Sequence, residues 1–248
     1  MATKSTIEWT EQTWNPTTGC SKVSPGCKNC YAEGMARRLH AMGAHGYENE
    51  FVLSMHENRL AQPLARKRPT TYFVNSMSDL FHENVTDRFL DQVFAIIEGT
   101  PQHTYQILTK RAARLPEYFA SRSCPQNVWL GVSVEDRKHG LPRIDFLRQV
   151  HAPIRFLSIE PLLEDLGRVD LRDIHWVIVG GESGPKARPM REEWVSRVQE
   201  QAAAAGAAFF FKQWGGWGAD GVKRHKKANG RVFRGRTWDA YPQGGAHP

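Results

Sequence analysis

Short runs rich in β-branched and aromatic residues recur along the chain at Thr6–Thr10, Thr71–Asn75, Thr104–Leu108, Val128–Val132, Ile154–Ile159, His175–Val179 and Ala208–Phe211. Several are continuously apolar, such as Trp176-Val177-Ile178-Val179, the pattern of parallel strands covered on both faces. Helical periodicity lies between them. After Thr86, the residues Phe89, Leu90, Val93, Phe94 and Ile97 share one helical face, with Thr86 placed to cap the start and Gly99 to end it. Trp194, Val195, Val198 and Ala202 repeat the pattern ahead of Gly206. Strands alternating with helices predict right-handed βαβ units. Six or seven such units over residues 1–212 predict an α/β fold, a partial (βα)6-7 TIM-like barrel of parallel strands, ahead of a doubly wound open sheet.

Composition narrows the class without changing the fold. Of 248 residues, 40% are hydrophobic and 24% charged, which excludes a disordered or fibrous chain. No apolar run approaches the ~20 residues of a membrane span, and the first residues lack an apolar signal core. A soluble, cytoplasmic protein is expected. The formal charge of +7 is unevenly placed, with residues 212–248 carrying a net +6 and the rest only +1. Residues 213–248 are also rich in glycine, and are expected to form a basic extension packed on or near the barrel, anchored by Trp238 and Tyr241. Such a segment suits a polyanion, nucleic acid or nucleotide, although a solubilising tail has the same composition.

In a parallel α/β fold the working face lies at the C-terminal ends of the strands. Read in order, those positions hold Asn75-Ser76-Met77-Ser78-Asp79, Thr109-Lys110-Arg111, Ser133 and Glu135, Glu160-Pro161, Gly180-Gly181-Glu182-Ser183-Gly184 and Lys212-Gln213-Trp214. The loop after the first strand holds Cys20, Cys27 and Cys30 in a C-x6-C-x2-C arrangement, while Cys124 stands apart. Three thiolates hold a zinc ion only with a fourth ligand, for which His40 is the nearest candidate. They hold a [4Fe–4S] cluster with one iron left open.

A three-cysteine loop after the first strand of a partial barrel resembles the radical S-adenosylmethionine superfamily. More narrowly, Trp14-Asn15-Pro16-Thr17-Thr18-Gly19-Cys20, Gly26-Cys27-Lys28-Asn29-Cys30-Tyr31, Leu157-Ser158-Ile159-Glu160-Pro161, Gly180-Gly181-Glu182-Ser183-Gly184 and Phe210-Phe211-Lys212-Gln213-Trp214 resemble the phage- and mobile-element-associated three-cysteine family of unknown function. The resemblance implies a [4Fe–4S] cluster on Cys20, Cys27 and Cys30 that cleaves S-adenosylmethionine and starts radical modification or repair of a nucleic acid or nucleotide. It further implies an electron donor such as a flavodoxin or ferredoxin. Tyr31, Asn75, Ser76, Lys110, Ser133, Glu135, Gly180, Gly181 and Glu182 are the expected cofactor contacts, and Asp79, Glu160 and Lys212 the expected catalytic residues. The chain departs from the superfamily pattern in its longer first cysteine gap, in Asn29 before the third cysteine, and in a Gly-Gly-Glu segment that follows the sixth strand instead of the second. The competing functions are a metal-stabilised nucleic-acid-binding protein without catalysis and radical modification of a protein partner.

Overall fold

The computed structural model describes residues 3–5 and 7–243. The short strand β1 (Thr3–Lys4) runs antiparallel to β2 (Gln12–Trp14), and β3 (Thr17–Thr18) pairs with β4 (Ser54–Met55) on either side of α1 (Tyr31–Ala41). There follow β5 (Thr71–Val74), α2 (Asp87–Glu98), β6 (Thr104–Thr109), α3 (Arg114–Phe119), β7 (Val128–Ser133), α4 (Leu141–Arg148), β8 (Ile154–Ile159), β9 (Trp176–Gly180), α5 (Glu192–Ala204), β10 (Ala208–Gln213) and α6 (Lys226–Asn229). The main sheet has the order β1-β2-β5-β6-β7-β8-β9-β10, and its seven strands from β2 onward are parallel. Each new parallel strand adds to the same edge. The sheet therefore curls in one direction into a partial TIM-like barrel, and the doubly wound alternative, which needs a reversal of strand order, is excluded.

The first parallel strand differs from expectation. Of the run Thr6–Thr10, Thr6 lies outside the described residues, and the remainder forms a turn closed by Thr10 N–H on the Ile7 carbonyl at 3.3 Å. Ile7 and Trp9 alternate like strand residues because both pack inward at the base of the barrel. The strand itself is the three-residue Gln12–Trp14, too short and too polar to stand out in the sequence.

Two apolar layers follow from the pleat, in which successive side chains point to opposite faces. On β7, Val128, Leu130 and Val132 join the outer layer beneath the helices, whereas Trp129 joins the inner one. The outer layer receives Phe89, Leu90, Val93 and Ile97 of α2, whose start is capped by Thr86 Oγ1 accepting from Phe89 N–H at 3.2 Å. The inner layer is an aromatic floor. Trp176 sits at its centre, with ring centroids 6.0 Å from Trp9, 5.6 Å from Trp129, 6.0 Å from Phe210 and 5.2 Å from Tyr241. Gly131 makes room for one of these rings, since a Cβ there would lie 2.5 Å from Phe156.

The chain after β10 completes the barrel. Phe211 N–H donates to Trp238 O at 2.9 Å and Ala240 N–H to Phe209 O at 3.3 Å, so this segment runs antiparallel along the free edge of β10. Trp176 Nε1 donates to Ala240 O at 2.8 Å, and Tyr241 fills the floor from below. The strap thus covers an edge that would otherwise be open to intermolecular pairing. Residues 244–248 of the expected extension lie outside the described residues. Among the described residues no helix is long and apolar enough to cross a membrane.

Candidate functional site

The loops leaving the C-terminal ends of the parallel strands meet around the cysteine loop, which is fastened at three places. At its start, Arg111 Nη1 donates to Cys20 Sγ at 3.4 Å, and Arg111 Nη2 donates to Ser21 Oγ at 2.7 Å and Ser21 O at 3.1 Å. The same guanidinium pairs with Asp79 and with Glu83, at 3.2 and 2.6 Å. His82 fixes Ser21 from the other side. Asn84 N–H donates to His82 Nδ1 at 3.1 Å, so the proton sits on Nε2 and is donated to Ser21 Oγ at 2.9 Å. Burial and then the Arg111 charge lower the His82 pKa.

In mid-loop, Ser24 Oγ donates to Glu135, a fully buried carboxylate that also takes Arg143 Nη1 at 2.6 Å. Gly26 lies against this carboxylate, where a Cβ would approach Glu135 Cγ to 3.0 Å. At the end of the loop, Asn29 Nδ2 donates to Glu182 Oε2 at 3.0 Å and to Lys186 O at 2.9 Å. Arg188 grips the Glu182 carboxylate at 2.5 and 2.9 Å and reaches Pro25 O at 3.0 Å. Burial acts to raise the Glu182 pKa, but Arg188 and Asn29 outweigh it and hold the group below the usual carboxylate range. Cys30 then occupies the N-cap position of α1 without a side-chain cap, and Tyr31 opens that helix with its side chain well exposed.

The expected site residues therefore divide by what their polar atoms already bind. All four acceptor positions of Asp79 are filled, by Thr109 Oγ1 at 2.7 Å, Phe81 N–H at 3.0 Å, Lys110 N–H at 3.0 Å and Arg111. Asn75 ties β5 to β3 by donating to Thr17 Oγ1 at 2.8 Å and accepting from Thr17 N–H at 3.2 Å, and Ser76 Oγ donates to Asn15 Oδ1 at 3.2 Å. The space a side chain at Gly181 would need is taken by the Trp214 carbonyl oxygen, 2.0 Å from an ideal Cβ. On the far wall, Lys212 Nζ contacts both oxygens of Glu160 at 3.0 and 2.8 Å, and Gln213 Nε2 bridges Glu160 and Ser183 at 3.3 and 3.0 Å. Gly180 packs beneath that carboxylate, with an ideal Cβ 3.2 Å from Glu160 Oε1. The Lys110 ammonium and the Ser133 hydroxyl have no hydrogen-bond partner among the described residues. Cys124 is buried away from the loop, and burial pushes its thiol up to about 12.

The residues that sequence reasoning passed over are the arginines. Arg111, Arg143 and Arg188 each lock one part of the cysteine loop, and only Arg111 stood beside a strand end where the sequence drew attention. The donors that the loop itself supplies are three thiols, Cys20, Cys27 and Cys30. His40 Nδ1 lies 2.9 Å from Tyr47 O, and among the described residues no three of His, Cys, Asp and Glu, the three cysteines included, converge on one point. One of these thiols, Cys20, accepts from the Arg111 guanidinium. Burial and then the Asp79 charge push the Cys20 thiol up to about 11, with Arg111 pulling the other way.

The family described as protein of unknown function (DUF5131) matches residues 4–242. No curated protein matches the sequence. Among solved structures the fold is similar to spore photoproduct lyase. A cysteine-to-serine mutant of that enzyme aligns with a TM-score of 0.52 at 14% identity, over 81% of this chain and 63% of that one. A cysteine-to-alanine mutant aligns with a TM-score of 0.54 at 13% identity, over 85% and 79%. A further structure of the enzyme, with dinucleoside spore photoproduct, aligns at 0.50 and 13% identity over 82% and 63%. The chain thus spans less than two thirds of the length of the first of these, and the likeness is one of fold.

Proposed function

We propose that this chain, which belongs to the DUF5131 family, is a radical S-adenosylmethionine enzyme acting on a nucleic acid or nucleotide. The observation that carries the reading is the position of the C-x6-C-x2-C loop at the C-terminal mouth of a partial barrel, where Arg111, Glu135 and Glu182 hold it against three different strand ends. Cys20, Cys27 and Cys30 would hold a [4Fe–4S] cluster, which together with S-adenosylmethionine supplies one-electron cleavage of a sulfonium and hydrogen-atom abstraction from an unactivated C–H bond.

The chain's own residues do the rest. Lys110 offers an ammonium without a partner among the described residues to the carboxylate of the cofactor, and the exposed Tyr31 ring would contact another part of it. Asn75, Ser76 and Gly181 shape the neighbouring backbone, while Asp79, Glu135 and Glu182 act through the loops they anchor. Glu160 and Lys212 face the substrate side as a pair. The aromatic floor around Trp176 excludes water from below, which protects reactive species. A small electron-transfer protein of the flavodoxin or ferredoxin kind would supply the reducing electron. Support for a nucleic-acid substrate comes from the basic segment after β10 and from an architecture shared with a lyase seen with a dinucleoside photoproduct.

Anaerobic reconstitution tests the proposal. About four iron and four sulfide per chain are expected, lost on changing Cys20, Cys27 or Cys30 to Ala and kept in Cys124→Ala. Reduction with S-adenosylmethionine present is expected to release 5′-deoxyadenosine. Stoichiometric zinc without iron in every preparation overturns the reading and leaves a metal-stabilised nucleic-acid-binding protein.

A further inference from the structure

Above the aromatic floor, the inner face of the barrel changes from rings to small and polar residues. Ser133 and Ser158 stand side by side in register on β7 and β8. Each continues the inward series of its strand, after Trp129 and Gly131 in one case and Ile154 and Phe156 in the other. They are only 2% and 3% exposed, yet neither hydroxyl has a hydrogen-bond partner among the described residues. Neither oxygen is among the sealed, unsatisfied atoms of the interior, so both open into the mouth. Buried hydroxyls are nearly always bonded, and two adjacent ones left free mark a place where a ligand supplies the partner.

The wall beside them is polar but carries no net charge. Glu160 and Lys212 neutralise each other at 2.8 Å, and their side chains are 19% and 15% exposed. Gln213 directs its Nε2 to Glu160 and Ser183, which leaves its amide oxygen free to accept. An anion gains nothing from a wall already holding a carboxylate. A neutral planar group with adjacent donor and acceptor atoms gains from both sides. Its N–H can donate to Glu160 or Gln213 Oε1, and its acceptor can take a proton from Lys212, Ser133 or Ser158.

We infer that the β7–β10 wall is a nucleobase-recognition subsite, which takes the hydrogen-bonding edge of a neutral base and leaves the phosphates outside it. The basic segment stands on the same rim to receive them. Gly216 N–H donates to Glu182 O at 2.7 Å, Trp217 Nε1 to Ala187 O at 2.7 Å and Lys223 Nζ to Pro185 O at 2.5 Å, so Lys223 borders the turn after β9. The assignment rests on the nucleic-acid or nucleotide reading above.

Equilibrium dialysis of the purified chain against adenosine, cytidine, guanosine and thymidine, with inorganic phosphate as competitor, tests it. At least one nucleoside is expected to bind, and phosphate not to compete. Ser158→Val fills the free space and is expected to weaken binding at least tenfold, with Ser158→Ala, which adds no bulk, giving a smaller loss. Glu160→Gln leaves Lys212 unneutralised, and phosphate is then expected to compete. Melting curves verify that each variant is folded. The Cys20, Cys27 and Cys30 triple alanine chain is expected to bind the nucleoside still, so failure of cluster loading and failure of the subsite are separate results. No nucleoside bound by the parent chain, or equal binding by Ser158→Val and Glu160→Gln, overturns the subsite.

Discussion

The side-chain amide of Asn29 donates to Glu182 Oε2 at 3.0 Å, tying a residue between two of the clustered cysteines to the turn after β9, 153 positions further along the chain. Arg188 completes the junction by pairing with the same carboxylate and reaching back to Pro25 O. Charge-assisted bonds of this kind are stronger and more directional than neutral ones. The Gly-Gly-Glu segment therefore braces the cysteine loop from across the barrel.

Removing that brace is expected to loosen the loop before it unfolds the barrel. Glu182→Ala leaves Arg188 and Asn29 without their acceptor, at a cost of about 1–3 kcal/mol. Denaturant titration measures the loss. Amide hydrogen exchange over residues 24–30 is expected to accelerate, and unchanged exchange there would leave Glu182 outside the support of the loop.

Glu135 and Arg143 form an ion pair with 0% and 8% of their side chains exposed. Arg143→Ala strands a buried carboxylate and is expected to cost about 3–5 kcal/mol. A combined Glu135→Leu and Arg143→Met change is expected to recover much of that stability while still disturbing Ser24 and the loop above it. Urea unfolding of the single and double variants separates the two effects.

The two neighbouring glycines of the turn after β9 differ in what surrounds them. At Gly181 an ideal Cβ lies 2.0 Å from the backbone oxygen of Trp214, whereas at Gly180 the nearest atoms, at 3.2 Å, belong to the end of the Glu160 side chain. Gly181→Ala is thus expected to destabilise by about 1–3 kcal/mol or more, and Gly180→Ala by less than about 1 kcal/mol. Thermal unfolding of both variants gives the comparison.

His56 provides the clearest pH dependence of stability. Burial first, and then Arg59, lower its pKa from 6.5 to about 4, while its Nε2 stays 2.7 Å from Thr18 Oγ1. The unfolded chain binds the proton more readily than the folded one between those values, so stability falls as the pH drops from 6.5 toward 4. Melting temperatures across that interval are expected to decline less steeply in His56→Gln than in the parent.

Basic residues after β10 differ in their commitments. Arg224 is paired with Asp220 and Lys223 with Pro185 O, while Lys226 and Lys227 have no ion-pair partner among the described residues. If single-stranded oligonucleotides bind here, changing Lys226 and Lys227 to Ala is expected to make the slope of log affinity against log salt shallower by about 1–2 units. Fluorescence anisotropy between low and physiological salt measures it, and an unchanged slope would remove the two lysines from the interface.

The parallel strands from β5 to β10 were legible as short runs rich in β-branched and aromatic residues, unbroken and apolar in cases such as β9, a signal contained within six or so neighbouring residues. The cap at Thr86 and the stop at Gly99 were legible for the same local reason. So was the cysteine cluster, and with the order of strands its place at the mouth. β2 was not, because Gln12-Thr13-Trp14 is short and Ile7 and Trp9 imitate a strand while packing under the barrel. What each polar residue does at the mouth was settled only by the tertiary structure. Asp79, Glu135 and Glu182 look alike in sequence as carboxylates at strand ends, yet their acceptor positions are filled by arginines, amides and loop hydroxyls brought in from elsewhere in the chain. Ser133, marked by its strand end, and Ser158, which nothing in the sequence singled out, both keep hydroxyls without a hydrogen-bond partner among the described residues. A residue's type determines how many hydrogen bonds it can make, but only the positions of distant partners determine how many remain to offer a ligand.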